Sequence, residues 1–569
     1  MLKRITLLSL VIITVSCSEK KSQNRTGLVA DSAMVVSAHP LASQVGLEII
    51  RKGGNAIDAA VATQFALTVV FPEAGNIGGG GFMLLREADG NLSALDYRER
   101  APKNAHRDMY LDSTGNVIDG LSTKGHLAAG VPGSVDGMIV MHQKFGKLPW
   151  KELVQPAIDL ALNGIALTVR AAENLNGIQD ELKKYNSVTP DFLINAWKEG
   201  DTLRWVELGH TLERIRDQGR EGFYEGKTAD DLVSEINRGK GIITHDDLKS
   251  YKSRWLEPLV GQYKDYKIIS LPPPSSGGIA LIQLLKSVES YPIKRWGHNS
   301  SKIIHLLTEV ERRTYADRAV YLGDPDFFSV PTPQLITDEY IKKRMETFDP
   351  EKATPSTNVK EGEFIGIEPT ETTHISIVDT HGNAVSVTTT LNDWFGSRVV
   401  VAGSGFFLND EMDDFSMKPG VPNVYGVIGG KGNEIQPGKT MLSSMTPTII
   451  EKDNELFIVI GSPGGPRIIT AVFQVILNVV DFNMGMQEAV DAKRVHSQWL
   501  PDAIFPEPGA ISHQDSLSLI KLGHQVWPLD KLEKGLDGIG RVDAILKLQN
   551  GKLEGGADRN RGDDAANGY

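Results

Sequence analysis

The sequence has almost no cysteine. Cys17 is the single thiol in 569 residues, which excludes an intrachain disulfide and any zinc or iron–sulfur centre ligated by cysteines. Positive charge is in deficit, with 60 Lys and Arg against 72 Asp and Glu and a formal net charge of -12. That balance argues against a broad nucleic-acid surface, which needs the opposite sign. It leaves room for a small acidic substrate, which needs only one or two local cations. The sequence contains no His-Glu-x-x-His pair, and its 13 histidines are scattered, so no metal and no cofactor is inferred. No period of 20–50 residues repeats, which argues against a solenoid. Beyond the first twenty residues no apolar run is long enough for a membrane span. Nucleotide loops fail on spacing: Gly438-Lys439-Thr440 ends like one, but Asn433 stands where the first glycine is needed.

What is present fits a globular chain. Hydrophobic residues make up 40% and charged residues 23%, enough to bury a sizeable core. At roughly 150 residues per domain the length suits three or four domains, or one large layered unit. Glycine is abundant, at 57 residues, and implies tight turns and close backbone approaches.

The first residues read as an address. Lys3 and Arg4 precede the apolar run Ile5 to Val15, and Ser16-Cys17 and a polar stretch follow. The run is too short to span a bilayer and suits a signal-peptide core. A small residue before a lone cysteine resembles a bacterial lipoprotein signal, with Cys17 as the lipidated first residue of the mature chain. An ordinary secretory signal is the alternative. Both place the protein outside the cytoplasm, in the periplasm or lipid-anchored to a membrane.

Further along, Leu41, Val45, Ile49 and Ile50 share a helical face. Gly53 and Gly54 end that helix, and Asn55 is placed to cap the next, from Ala56 to Val70. Gly75 to Gly81 is a glycine-dense turn before a strand at Phe82 to Leu85. From Leu160 to Lys249 the pattern is mostly helical. A polar stretch from Glu346 to Glu371, with Pro350, Pro355 and Pro369, reads as an exposed connector. From Thr372 to about Gly405 the chain becomes strand-rich.

Two segments carry chemistry. Thr373 to Val378 and Ala384 to Thr390 flank the turn Asp379 to Asn383, a hairpin pattern. Folding it about His381 pairs Ile377 with Val385 and Ile375 with Val387 on an apolar face. His374/Thr388 and Ser376/Ser386 then pair on a polar one. The same register sets Thr390 opposite Thr372, at an end open to the connector. The second segment is the apolar strand Leu456 to Ile460, followed by Gly461-Ser462-Pro463-Gly464-Gly465-Pro466 and a helix. A strand, glycine turn and helix with free amides suits a developing oxyanion. Taken alone, the first segment reads as a structural hairpin, threonine-rich because threonine suits strands, and the second as a plain strand-to-helix turn.

Taken together the motifs closely resemble γ-glutamyltransferases. They are His39-Pro40-Leu41-Ala42, Gly75 to Gly81, Asp96-Tyr97-Arg98-Glu99, Thr372-Thr373-His374, Asp379 to Asn383, Thr390-Leu391-Asn392, Asn409 to Phe415, Lys418 to Gly426, Leu442-Ser443-Ser444-Met445 and Gly461 to Gly465. The resemblance runs from about residue 30 to Tyr569. It implies the α+β N-terminal-nucleophile hydrolase fold, an αββα sandwich of two stacked antiparallel sheets between helical layers. It also implies a precursor that cuts itself between Glu371 and Thr372. After a signal segment at 1–17, this leaves a large subunit (18–371) and a small one (372–569), assembled as a heterodimer.

By the same resemblance Thr372 is the nucleophile and Thr390 orients it. Gly464 and Gly465 supply the oxyanion amides. Arg98 grips the substrate α-carboxylate with Ser443 and Ser444, and Asn392, Glu411 and Asp414 receive its α-ammonium. Pro419 to Gly430, with Tyr425, forms a lid. The implied donor is glutathione or another γ-glutamyl compound, and the acceptor is water, an amino acid or a peptide. Near the C-terminus the family often reads Asp-Pro-Arg, whereas Asp558-Arg559-Asn560-Arg561 stands here, which leaves the tail contacts open. Two alternatives remain: a glutaryl-cephalosporin acylase of the same superfamily, and a non-catalytic peptide-binding lipoprotein.

Overall fold

Strand-forming residues gather into two seven-stranded antiparallel sheets that stack face to face. The computed structural model describes residues 26–188, 190, 192, 196–359, 371–418, 430–532, 536 and 538–569. The expected signal segment with Cys17 and the expected lid residues 419–429 with Tyr425 lie outside the described residues.

The first sheet orders its strands Ala565–Gly568, Met34–Ser37, Glu371–Val378, Ala384–Asn392, Gly80–Arg86, Leu92–Asp96 and Arg254–Leu256. The hairpin therefore occupies the middle of this sheet. The second sheet runs Leu28–Ala30, Leu553–Gly556, Asp543–Lys547, Glu455–Gly461, Thr448–Lys452, Tyr266–Ser270 and Leu259–Tyr263.

Alternation along the strands decides what each face meets. Ile375, Ile377, Val385 and Val387 point from the first sheet into one apolar core, with helices Pro40–Arg51 and Ala56–Val70. The Asn55 side chain accepts from the Asp58 N–H while Asp58 accepts from the Asn55 N–H, a reciprocal cap worth about 1 kcal/mol. Every residue of Ala56–Val70 is buried, as expected of a helix apolar all round. On its other side the second sheet packs against helices Gly277–Val288 and Arg467–Val480, in a second core with Ile450, Ile458 and Ile460. No described helix is long and apolar enough to cross a membrane.

The hairpin register matches the sequence pairing. Ile377 faces Val385, Ile375 faces Val387, and Thr372 faces Thr390. One residue further it slips: Glu371 pairs with Asn392, so Leu391 is an extra residue and a β-bulge sits at the Glu371–Thr372 junction. Two expectations change. The threonine end is buried, Thr372 being 5% and Thr390 2% exposed, because the neighbouring strand and the turns at 73–79 and 409–414 close over it. The described part of the connector is anchored: Ala353, Ser356 and Val359 are buried, and the Ser356 hydroxyl donates to the Trp499 carbonyl. The strand-rich segment ends at Asn392, after which the chain proceeds in turns to Gly405.

Candidate active site

Thr372 and Thr390 are positioned by backbone. Gly80 pairs with Thr390 across the next strand. A Cβ on Gly79 would lie 2.0 Å from the Thr390 carbonyl oxygen, so only glycine allows the turn to approach. Asn76 sits inside that turn; its Nδ2 donates to the Thr390 carbonyl at 2.9 Å, and its Oδ1 accepts from the Gly79 N–H and the Ser134 hydroxyl. The Asn392 N–H donates to Thr390 Oγ1 at 2.8 Å, which fixes that hydroxyl opposite Thr372. Asn392 takes a left-handed φ of 83° and its Nδ2 donates to the Asp410 carbonyl at 2.9 Å. A non-glycine residue in that region carries strain, and such strain concentrates at functional sites. It ties the hairpin end to the acidic turn.

The acidic turn forms the helical stretch Glu411–Asp414 and meets Arg98. The arginine follows the strand Leu92–Asp96 and is 2% exposed. Its Nη1 lies 2.6 Å from Glu411 Oε1, its Nη2 pairs with Asp414, and its Nε donates to the Met441 carbonyl at 3.1 Å. Arg98 is thus neither a surface residue nor ion-paired to Asp96, whose carboxylate accepts from the Arg98 backbone N–H. The guanidinium sits between the two acids that the resemblance assigns to the opposite end of the substrate. Cation and anions are therefore adjacent.

Ser443 and Ser444 continue from this wall. Ser443 Oγ accepts from the Met445 N–H at 3.1 Å, and Ser444 Oγ accepts from Arg318 Nη2 at 3.1 Å. Arg318 projects from the helix Ser301–Tyr321 and also donates to the Ser276 hydroxyl at 2.8 Å. Neither Arg318 nor Asn76 was singled out from sequence. Asn76 lies in the glycine-dense turn and could have been; Arg318 sits within a charged helix and carries no local signal.

Gly464 and Gly465 occupy positive φ, 126° and 54°, conformations that favour glycine. Their carbonyls accept from the Arg467 and Ile468 N–H groups as the helix begins. Their own N–H groups precede its ladder, at the positive end of the helix dipole. His374 supports this turn from below: a Cβ on Gly461 would lie 2.3 Å from its ring. Its Nδ1 is 2.8 Å from Thr388 Oγ1 and its Nε2 is 3.1 Å from Ser376 Oγ. Since the Ser376 hydroxyl donates to the Asp543 carbonyl, Ser376 accepts from Nε2–H and Nδ1 accepts from Thr388. Burial lowers the His374 pKa to about 3.

The departing tail is firmly held. Asp558 accepts from Arg494 at 2.7 Å and from Arg561, which also pairs with Glu507. Among the described residues one group could offer three metal ligands, His305, Glu309 and His524. Its carboxylate already accepts from Arg312, Arg313 and the Thr354 N–H, which leaves it poorly suited to a cation.

Comparison with known proteins agrees. The family model described as Gamma-glutamyltranspeptidase matches residues 42–568. A glutathione hydrolase proenzyme of Escherichia coli (strain K12) is 42% identical over 550 residues, covering 95% of this chain and 92% of the relative. The crystal structure of Helicobacter pylori gamma-glutamyltranspeptidase matches at 45% identity and TM-score 0.56, over 60% of this chain and 97% of that one. A cephalosporin acylase from Bacillus halodurans superposes at TM-score 0.83 and 26% identity, over 98% and 99%. A match of this length makes the chain a member of the gamma-glutamyltranspeptidase family.

Proposed function

We propose that the protein is a self-processing γ-glutamyltransferase and glutathione hydrolase with Thr372 as an N-terminal nucleophile. In the precursor the Thr372 hydroxyl attacks the Glu371 carbonyl. The C–N bond of the peptide breaks as the nitrogen takes up a proton, and water then opens the ester. The register slip at that junction supports the reading, since a bulge leaves the peptide outside the regular ladder.

Once free, Thr372 holds a hydroxyl and an α-amine on one residue. An α-amine titrates near 8, about two units below lysine, so a neutral fraction is available as base. Thr390 orients the hydroxyl. Attack on the γ-amide carbonyl gives a tetrahedral oxyanion facing the Gly464 and Gly465 amides. The amine leaves with a proton, and water or an amino group takes the glutamyl group from the ester. Arg98 is suited to the α-carboxylate, and Asn392, Glu411 and Asp414 to the α-ammonium.

The observation that carries this reading is the Thr372–Thr390 pair buried at the end of the hairpin and tied through Asn392 to the acidic turn that flanks Arg98. The likeness to a cephalosporin acylase favours a second reading, glutaryl amide cleavage. A glutaryl group has no ammonium and gives Glu411 and Asp414 nothing to bind. Mass spectrometry of the purified protein tests the cut and is expected to find a chain beginning at Thr372. Turnover of γ-glutamyl against glutaryl anilides tests the substrate, and a glutaryl preference reverses the choice. The basic residues, apolar run and Cys17 at the N-terminus support export to the periplasm with a lipid anchor.

A further inference from the structure

Glu99 follows the pocket arginine and is fully buried. Glycines make room for it: a Cβ on Gly80 would lie 2.5 Å from its Oε2, and one on Gly130 would lie 3.1 Å from its Cβ. Neither carboxyl oxygen has a hydrogen-bond partner among the described residues. The nearby phenols do not serve it, since the Tyr97 hydroxyl donates to Gln64 and the Tyr224 hydroxyl to the Pro132 carbonyl. An ionised carboxylate so placed costs several kcal/mol.

A neutral acid removes most of that cost and needs one acceptor. Glu411 is close by: a Cβ on Gly130 would lie 3.1 Å from the Glu99 Cβ and 3.5 Å from Asn409 Oδ1, which accepts from the Glu411 N–H. We propose that Glu99 is a protonated carboxylic acid that donates to Glu411 and holds it in place against Arg98. Glu99 is thereby a positioning residue for the end of the pocket that receives the substrate ammonium. Burial is the largest influence on its titration and the Glu411 charge adds to it, while Arg98 opposes both; the balance lies well above the usual carboxylate range. With Glu99 neutral, Arg98, Glu411 and Asp414 sum to one negative charge, which suits a donor bearing an ammonium over one without it. This rests on the γ-glutamyl reading above.

The matured enzyme, E99Q and E99A are compared by γ-glutamyl anilide kinetics and by infrared spectroscopy with isotope-labelled glutamate. Glutamine keeps a neutral donor of the same shape. We expect E99Q to stay within about threefold of the parent KM, and E99A to raise KM about tenfold with kcat little changed. The parent-minus-E99Q spectrum should contain the carbonyl band of a buried protonated glutamic acid. A spectrum without that band overturns the proposal, as does an E99Q whose KM rises as far as that of E99A. Should E99A fail to mature, E99Q and the infrared band decide. A parent that turns over no γ-glutamyl anilide defeats the functional reading and leaves the infrared result standing.

Discussion

Replacing Arg98 by alanine is the sharpest test of the pocket. Arg98 makes ion pairs to Glu411 and Asp414 and donates to the Met441 and Leu442 carbonyls, all in buried surroundings. Losing a charge-assisted partner from a buried site costs about 2–4 kcal/mol of binding. At 1.4 kcal/mol per decade that is a rise in KM of roughly 30- to 700-fold for a γ-glutamyl donor. Because the two carboxylates then stay buried without their cation, the fold should also lose about 3–5 kcal/mol. Arg98→Lys keeps the charge but not the fork, and should fall between the two. The assay is initial-rate hydrolysis of a γ-glutamyl anilide alongside chemical denaturation. An Arg98→Ala enzyme with unchanged KM would remove Arg98 from the substrate site. Unchanged stability would mean that the two acids do not depend on it.

Thr372→Ala should abolish both maturation and turnover, leaving one full-length band on a gel; two chains from that variant would place the cut elsewhere. Gly464→Ala forces a side chain into φ 126° with its Cβ 3.1 Å from Gly540 Cα, and should cost at least about 1 kcal/mol and lower kcat more than it raises KM. Stability should fall as pH drops. His374 has a folded pKa of about 3 against 6.5 unfolded, so below 6.5 the unfolded chain binds the extra proton and stability rises with pH between about 3 and 6.5. At pH 5 the penalty for His374 is on the order of 2 kcal/mol relative to pH 8; a His374→Gln variant whose acid denaturation is no shallower than the parent's would contradict this.

Much of the site was legible because it rests on local rules. The hairpin register followed from period-2 alternation about a turn, which sets Thr390 opposite Thr372. The Asn55 cap, the helix it starts and the glycine turn after Glu455–Gly461 followed from capping and φ preferences. The bulge at Glu371 was not legible, because it depends on how Asn392 is pulled toward Asp410. Nor was the reach of Arg318 to Ser444 across more than a hundred residues of chain.

The amino-acid order alone thus determined how the hairpin, the capped helix and the glycine turns bend, since those preferences act over a few neighbouring bonds. Only the tertiary structure decided that Arg98 lies between Glu411 and Asp414, that the threonines are buried, and that Glu99 has no other place for a charge. Those outcomes depend on which distant backbones exclude water from the same few cubic ångströms, and that dielectric environment is a property of the packed layers.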